Sequence, residues 1–381
     1  DAVGTTELGG GITAIGGIAF NDAVNLRAFT NVRSLGGTTT FGSTVVGPWA
    51  LVAAGNTGTA FGGAVDVGSL LVQGDGTTRL GGDVSADASA VFNRPVLLTN
   101  DVTVDAGAVF FAGAINGAHA LDITAIGSVT IGDHVGANTA LNSMTVRGAS
   151  LSARGITTTG NLSVDVAADI TQTAAYGVGG SASFASQGNI TLGNSGNRFD
   201  GAVALDGGAI QIASASALDL DVVQAGSLHA VANGRVRLGN ATIAGNATLN
   251  GSGIVFDDAT IQGNLGAVSG GFIRQSGALS VSGSSQLNAA GDITLSNGQN
   301  VFGGALGLSG TTIDVESASD LLVTQLHNGA NSAVSLVSGK GLSLTGNDVD
   351  TGTANLTLAA NGGQLITQVA LVGADLELLG S

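Results

Sequence analysis

The sequence predicts an all-β fold, a right-handed parallel β-helix in which similar coils are stacked on one another. Two observations lead to this prediction: short strand patterns follow one another along the chain, and similar stretches recur at intervals. Residues 188–207 read GNITLGNSGNRFDGAVALDG and residues 291–310 read GDITLSNGQNVFGGALGLSG, which agree at 11 of 20 positions without a gap. A repeated structural unit therefore underlies the chain.

Short alternating segments predict the strands. Segments such as ITL at 190–192, IQI at 210–212 and RVRL at 235–238 place apolar residues at every second position, and turn residues flank them. No stretch has the apolar spacing of a helix, and 64 glycines are too many for long helices to be stable. The chain is therefore predicted to consist of strands and turns.

Phenylalanine indicates the length of one coil. The pattern of Phe, two variable residues and usually Ala with an aliphatic residue begins at Phe20, Phe41, Phe61, Phe92, Phe111, Phe199 and Phe302. The short intervals cluster near 20 residues, and the 103 residues between the two aligned stretches are close to five such intervals. Three short strands and three turns fill one such rung. With rungs about 4.8 Å apart, we expect roughly 18 or 19 rungs and a rod of about 90 Å.

The alternation of apolar and polar residues also predicts which side chains face the core. The residues expected to point inward in the first aligned stretch and the strand after it are Ile190, Leu192, Phe199, Val203, Leu205, Ile210 and Ile212. Thr191, Ala204 and Gln211 are expected to point outward. Small outward residues would keep the faces of the solenoid flat.

Composition excludes several classes of partner. A formal charge of −16 with only 11 basic residues disfavours nucleic acid and anionic membrane surfaces, which require clustered Lys and Arg. No run of 18 or more apolar residues is present, so no membrane insertion is expected within this segment. Cysteine is absent, and neither disulfides nor thiolate metal sites can stabilise the fold.

The chain is expected to be one β-helix repeat domain over residues 1–381 and a fragment of a longer protein. It begins at Asp1 inside Gly-rich sequence, without the pattern of a secretory signal. Because uncapped coils expose strand edges, a chain of these residues is also expected to associate end to end.

A family resemblance rests on VTVDAGAVFFAGAINGAHALDITAIGSVTIGDHVGANTALNSMTVRGASL at 102–151 and on the recurrent NxFxGAV rungs. These residues resemble the repeat region of filamentous-haemagglutinin-like exoproteins of two-partner secretion systems and of autotransporter passengers of Gram-negative bacteria. Two features depart from the family. Neither Pro48 nor Pro95 follows Asn, so the Asn-Pro motifs of the secretion domain are missing, and no C-terminal outer-membrane barrel pattern is present.

The resemblance implies a structural function. The chain would be the non-catalytic shaft of a secreted or surface-anchored bacterial adhesin that supports attachment to host cells, other bacteria or biofilm matrix. Its receptor, a protein or a glycan, is unknown, and an outer-membrane transporter or anchor is expected outside this segment. The alternative is a β-helical polysaccharide-binding or polysaccharide-degrading protein. That alternative requires a groove in which two or more carboxylates lie beside a basic residue.

Paired carboxylates are the first candidates for a catalytic site. Asp219 and Asp221 alternate with leucines, so both should face the same way, and Glu316 and Asp320 occupy the region one repeat later. No Arg or Lys lies between residues 198 and 235 to bind a uronate or act as a base, although another rung could contribute one. We therefore interpret these carboxylates as surface residues without a catalytic role.

Metal sites and catalytic motifs are not predicted. Adjacent Asp257 and Asp258 are interpreted as a solvated turn. The histidines are scattered without a neighbour at metal-ligand spacing, and we expect surface or turn positions for His119, His134, His229 and His327. Calcium motifs are absent, so at most weak calcium sites in turns are expected. Neither a phosphate-binding loop nor a nucleophile elbow is present, and no catalytic, cofactor or metal residue is assigned.

A tryptophan and threonine-rich strings are the remaining candidates for a contact surface. Trp49 follows Pro48 and is a candidate contact residue, although it could equally pack on a loop. The strings TTT at 38–40 and 157–159 are typical of flat, Thr-rich solenoid faces that bind ice or crystals, but such faces need Thr in every rung. The aligned stretches share only Thr191 and Thr294 in register, so this interpretation is disfavoured.

Overall fold

The computed structural model describes residues 4–329, 332–350 and 353–380. Within these residues the chain forms 42 strands joined by turns, and no helix is present. The chain divides into two units, Asp1–Gly201 and Ala202–Ser381, and each is described by itself. That residues 1–381 form a single domain stays a prediction.

The first unit contains the strands β1 to β22. Their bounds are β1 (Thr5–Ala14), β2 (Ile18–Phe20), β3 (Ala23–Ser34), β4 (Thr38–Phe41), β5 (Val45–Gly55), β6 (Gly58–Phe61), β7 (Val65–Gly74), β8 (Thr77–Leu80), β9 (Val84–Phe92), β10 (Val96–Leu98), β11 (Val102–Phe111), β12 (Ile115–Asn116), β13 (Ala120–Ala125), β14 (Ser128–Val135), β15 (Ser143–Gly148), β16 (Ser150–Thr158), β17 (Leu162–Val166), β18 (Ile170–Gln172), β19 (Gly177–Val178), β20 (Ala182–Ser186), β21 (Ile190–Leu192) and β22 (Arg198–Phe199).

The second unit contains the strands β23 to β42. Their bounds are β23 (Val203–Ser214), β24 (Leu218–Ala232), β25 (Val236–Ile243), β26 (Ala247–Gly251), β27 (Ile254–Phe256), β28 (Ala259–Ile261), β29 (Leu265–Ser269), β30 (Ile273–Gln275), β31 (Leu279–Val281), β32 (Ser285–Ala289), β33 (Ile293–Leu295), β34 (Val301–Phe302), β35 (Ala305–Gly310), β36 (Ile313–Ser317), β37 (Leu321–Asn328), β38 (Val334–Ser338), β39 (Leu342–Asp350), β40 (Leu356–Ala360), β41 (Leu365–Thr367) and β42 (Leu376–Gly380).

Strands pair in parallel with the strands of the next rung. In the first unit β17 pairs with β20, with Leu162 opposite Ala182. In the second unit β29 pairs with β32 in the same way, with Leu265 opposite Ser285. Counted over both units, the chain makes about 19 turns of about 20 residues each. The predicted parallel β-helix and its rung length are therefore confirmed.

The predicted division into inward and outward side chains is also confirmed. All seven residues expected to point inward, from Ile190 to Ile212, are at most 4% exposed. Thr191 and Gln211 are exposed and Ala204 is half-buried. Period-two alternation therefore places the apolar side chains of successive rungs in continuous ladders inside each unit.

The phenylalanines stack in more than one ladder. Phe20, Phe41 and Phe61 form one stack with ring centroids 5.2 Å apart at each step, whereas Phe92 and Phe111 form another with centroids 4.8 Å apart. Because β6 pairs with β8 while β9 pairs with β11, the two stacks occupy different positions in the rung. The 31 residues between Phe61 and Phe92 therefore mark a change from one stack to the other, and only the intervals within one stack give the length of a rung.

Side chains in the turns bind the backbone of the next rung. An Asp or Asn oxygen accepts a hydrogen bond from a backbone N–H about one rung later, at 2.8 to 3.0 Å. The pairs of acceptor and donor are Asp83 and Thr103, Asn161 and Ser181, Asp169 and Asn189, Asn246 and Asn264, Asp258 and Ala278, and Asn264 and Ser284. These bonds satisfy donors at the turns and fix one rung on the next.

Candidate functional site

In the second unit, three carboxylates surround one guanidinium. Asp219 and Asp221 lie on β24 and point the same way, as predicted, and Arg237 lies opposite Asp219 on β25. Arg237 Nη1 is 2.7 Å from Asp219 Oδ1 and 3.6 Å from Asp221 Oδ1. Its Nη2 contacts Asp257 Oδ2 after β27. Another rung thus supplies the basic residue that the segment between residues 198 and 235 lacks.

The chemistry of this cluster is that of an ion-paired surface. The hydrogen bond from Arg237 to Asp219 raises the pKa of the guanidinium, so the group stays protonated and cannot serve as a base. Its donors already engage three carboxylates, which leaves little capacity to bind a uronate carboxylate. About half of the Asp219 and Asp221 side chains is exposed, and water and salt weaken such pairs. The cluster is best explained as a clamp across three rungs.

The adjacent carboxylates of the predicted turn have separate partners. Asp257 and Asp258 do lie in a turn between β27 and β28. Asp257 accepts a hydrogen bond from the Ser276 hydroxyl and pairs with Arg237, and its side chain is only 19% exposed. Asp258 accepts the backbone N–H of Ala278 at 2.9 Å. The turn is confirmed, but Asp257 is less solvated than predicted because its ion pair covers it.

The remaining acidic candidates do not join the cluster. Asp320 accepts the backbone N–H of Gly341 at 2.9 Å. The Glu316 side chain lies over Gly298. A cavity of about 470 Å³ is lined by Asp320 and Lys340 together with Ser343, Gln364 and apolar and Gly residues, and it holds one carboxylate. It lacks the pair of carboxylates that the polysaccharide-degrading alternative requires.

The four histidines are half-buried or exposed, as predicted, and two of them contact a single carboxylate each. His119 Nδ1 is 3.5 Å from Asp101 Oδ1, and His327 Nε2 is 2.8 Å from Asp348 Oδ1. A hydrogen bond from Gln325, with a smaller contribution from His327, lowers the pKa of Asp348. Within residues 4–329, 332–350 and 353–380 no three His, Asp or Glu side chains gather as metal ligands would.

The threonine and tryptophan candidates differ in burial. The central residues of both TTT strings, Thr39 and Thr158, are at most 3% exposed, and the Thr39 hydroxyl donates to the Ala54 carbonyl at 2.9 Å. They belong to the core, whereas the outward Thr40 lies between Ala19 and Ala60 of the neighbouring rungs, so Thr does not recur in every rung at this position. Trp49 lies on β5 with 47% exposure, which keeps it available as a contact residue.

Sequence reasoning missed a pair of hydrogen-bonded amides, a buried Asn and a half-buried Gln, in each of the two aligned repeats. Asn197 is fully buried, and its Oδ1 accepts the backbone N–H of Tyr176 and the side-chain amide of Gln172, both at 2.8 Å. Its Nδ2 donates to Gln172 Oε1 and to the Leu192 carbonyl, again at 2.8 Å. We call this arrangement the Asn–Gln bracket. It fixes the turn after β21 to the rung before it.

The same bracket recurs 103 residues later. Asn300 Oδ1 accepts from the Leu279 backbone N–H at 2.9 Å and from Gln275 Nε2 at 2.8 Å. Its Nδ2 donates to Gln275 Oε1 at 2.8 Å and to the Leu295 carbonyl at 2.9 Å. The alignment of residues 188–207 with 291–310 contains part of this pattern, because it pairs Asn197 with Asn300. The glutamines lie outside that alignment, which is why the pair was not recognised.

Tyr176 lies beside the first bracket and is 1% exposed. Its ring stacks near Phe184 with centroids 6.4 Å apart. Burial raises the pKa of the phenol, and its hydroxyl oxygen has no hydrogen-bond partner among the described residues. The equivalent residue of the second repeat is Leu279, which indicates that this position requires apolar volume and no hydroxyl.

Comparison with known proteins also finds repeats in this chain. A family described as repeats of unknown function (DUF5649) matches residues 136–206 and 244–309, and each match contains one complete Asn–Gln bracket. No curated protein and no solved structure matches the chain. In the described part of the chain, no helix has the length and apolar character needed to cross a bilayer.

Proposed function

We propose that this chain is the non-catalytic structural shaft of a secreted or cell-surface bacterial adhesin. The shaft supports attachment to host cells, other bacteria or biofilm matrix, and the receptor is a protein or glycan on such a surface. The outer-membrane transporter or anchor that this adhesin requires lies outside this segment. The location is extracellular or on the bacterial surface.

One observation carries this proposal: polar side chains that could serve chemistry hold rungs together instead. The turn carboxylates accept backbone N–H groups one rung later, as Asp169 does from Asn189 at 2.8 Å. Arg237 joins carboxylates of the rung before it and the rung after it, and the Asn–Gln brackets join rungs from inside. A repeated stack that uses its polar groups in this way is suited to bearing other elements.

The proposal is tested by deleting one whole rung in the first unit. Residues 42–61 are suitable because Phe41 pairs with Phe61 and Val45 with Val65, so the deletion rejoins equivalent positions. The deletion also removes Trp49. The control is a deletion of residues 52–61, which removes half a rung and joins Leu51 to Gly62, so the strands at the junction no longer lie opposite their partners on the neighbouring rungs.

The variants are expressed in the producing bacterium, beside a strain without the protein. We expect the whole-rung deletion to be secreted, resistant to protease and as effective in attachment as the parent, and the half-rung deletion to be degraded. Loss of attachment by a folded whole-rung variant would assign a binding role to that rung and overturn the shaft proposal. Unchanged attachment in the strain without the protein would overturn the adhesin proposal.

A further inference from the structure

We propose that an outward trough in the second unit binds a neutral oligosaccharide. Thr248, Gly266 and Gln286 lie opposite one another on β26, β29 and β32, on three successive rungs. A shallow cavity of about 450 Å³ opens over them. We call it the Gly266 trough, and the polar residues along it include Asn246, Thr248, Asn264, Ser284, Gln286 and Thr324.

The trough exists because its middle rung has no side chain. A Cβ placed on Gly266 would meet no atom within 4 Å, so the space above this residue is open. Gln286 extends away from the gap, and its Nε2 donates to Gln325 Oε1 at 2.9 Å, two rungs further along. Thr248 and Gln286 lie two strand spacings apart, about 9.5 Å, which is room for a sugar ring.

The trough is a local departure from the repeat. Its distinctive residues are Gly266 and Gln286, and their equivalents 103 positions earlier are Ser163 and Ser183. The side chain of the neighbouring Ser285 points into the core, in register with Leu265 and Leu306, and takes no part in the trough.

The lining chemistry identifies the class of ligand. The polar groups are amides and hydroxyls, which both donate and accept hydrogen bonds, and no charged side chain lines the trough. The Oδ1 atoms of Asn246 and Asn264 accept backbone N–H groups of the next rung, so their NH₂ groups are left to donate to a ligand. Sugar hydroxyls match these groups, whereas a chain of charge −16 repels acidic polysaccharides.

The test uses the 381-residue chain with Gly266→Gln, which fills the trough. The matched control is Gly16→Gln in the first unit, where an added Cβ also meets no atom within 4 Å. Binding of cellohexaose, maltohexaose, mannohexaose and hexagalacturonate is measured by isothermal titration calorimetry. Circular dichroism verifies that both variants fold.

We expect at least one neutral hexasaccharide to bind the parent chain and the Gly16→Gln variant alike. Gly266→Gln should weaken that binding about tenfold or more. The proposal is overturned if no neutral hexasaccharide binds, if both variants weaken binding equally, if Gly266→Gln binds like the parent, or if hexagalacturonate binds most tightly. The rung deletion that tests the shaft lies in the first unit, so the two proposals fail independently.

Discussion

The buried Asn–Gln bracket shows what single residues contribute to this fold. An amide without partners inside a protein is costly, but Asn300 satisfies both its oxygen and its NH₂ group within one turn and the preceding rung. If the segment that carries Asn300 shifted by one residue, the amide groups of Asn300 and Gln275 would lose these hydrogen bonds. The bracket therefore specifies the register of its rung as well as stabilising it.

Removal of one bracket residue should be strongly destabilising. Asn300→Ala leaves the Leu279 N–H without its acceptor and removes both hydrogen bonds between Asn300 and the half-buried Gln275 amide, and we expect a loss of about 2–4 kcal/mol in the free energy of unfolding. Gln275→Ala should cost a similar amount, and the double variant less than the sum. Urea unfolding measures these values. The exposed Gln299→Ala serves as control, and equal small effects at all three positions would contradict the bracket.

Tyr176 should make the protein sensitive to alkali. Burial raises the phenol pKa in the folded state above its unfolded value near 10, so the unfolded state loses its proton first and stability falls as pH rises past about 10. Tyr176→Phe should remove this component and be neutral or stabilising at pH 7, because the hydroxyl has no partner among the described residues.

Phenolate absorbance reports this directly because the chain contains one tyrosine. During an alkaline titration the absorbance should rise only with unfolding, and urea midpoints of the parent should fall relative to Tyr176→Phe. Ionisation with an ordinary midpoint in the folded protein would show that Tyr176 is not buried.

The strands were predictable from the sequence, and the contacts that the turn residues make were not. Alternation along β21 sufficed to place Ile190 and Leu192 inside, because period two fixes the face of each side chain. The roles of Asp169 and Arg237 depend on partners about 20 residues away. Those partners become visible only when the register between rungs is known, so a single sequence could give the ladders but not the ion cluster or the turn bonds.

Glycine at position 188 should be required by the close approach of two turns. A Cβ there would lie 2.5 Å from Asp169 Oδ1 and 3.0 Å from the Ala168 carbonyl carbon. Gly188→Ala should therefore destabilise by about 1–3 kcal/mol, and adding Asp169→Ala should restore only part of that loss because the backbone contact remains. Thermal unfolding of both variants provides the measurement. Full tolerance of Gly188→Ala would mean that the rungs are not stacked this closely.

At the scale of the whole molecule, equivalent rungs occur in the two units, 103 residues apart in the sequence. Phe199 packs in register on Val178, and Phe302 packs on Val281 in the same manner. Both phenylalanines are at most 4% exposed. In such a stack, stability is close to a sum of terms between neighbouring rungs, so damage to one rung should stay local.

Hydrogen exchange on Phe199→Ala and Phe302→Ala tests this claim most directly. Each truncation leaves a cavity that costs roughly 3–5 kcal/mol. Phe302→Ala should lose backbone protection in the rungs of β31 and β34 while the rungs around residue 199 keep theirs, and Phe199→Ala should give the mirror result. Loss of protection throughout the chain in either variant, or an effect below about 0.5 kcal/mol, would contradict the stack of equivalent rungs.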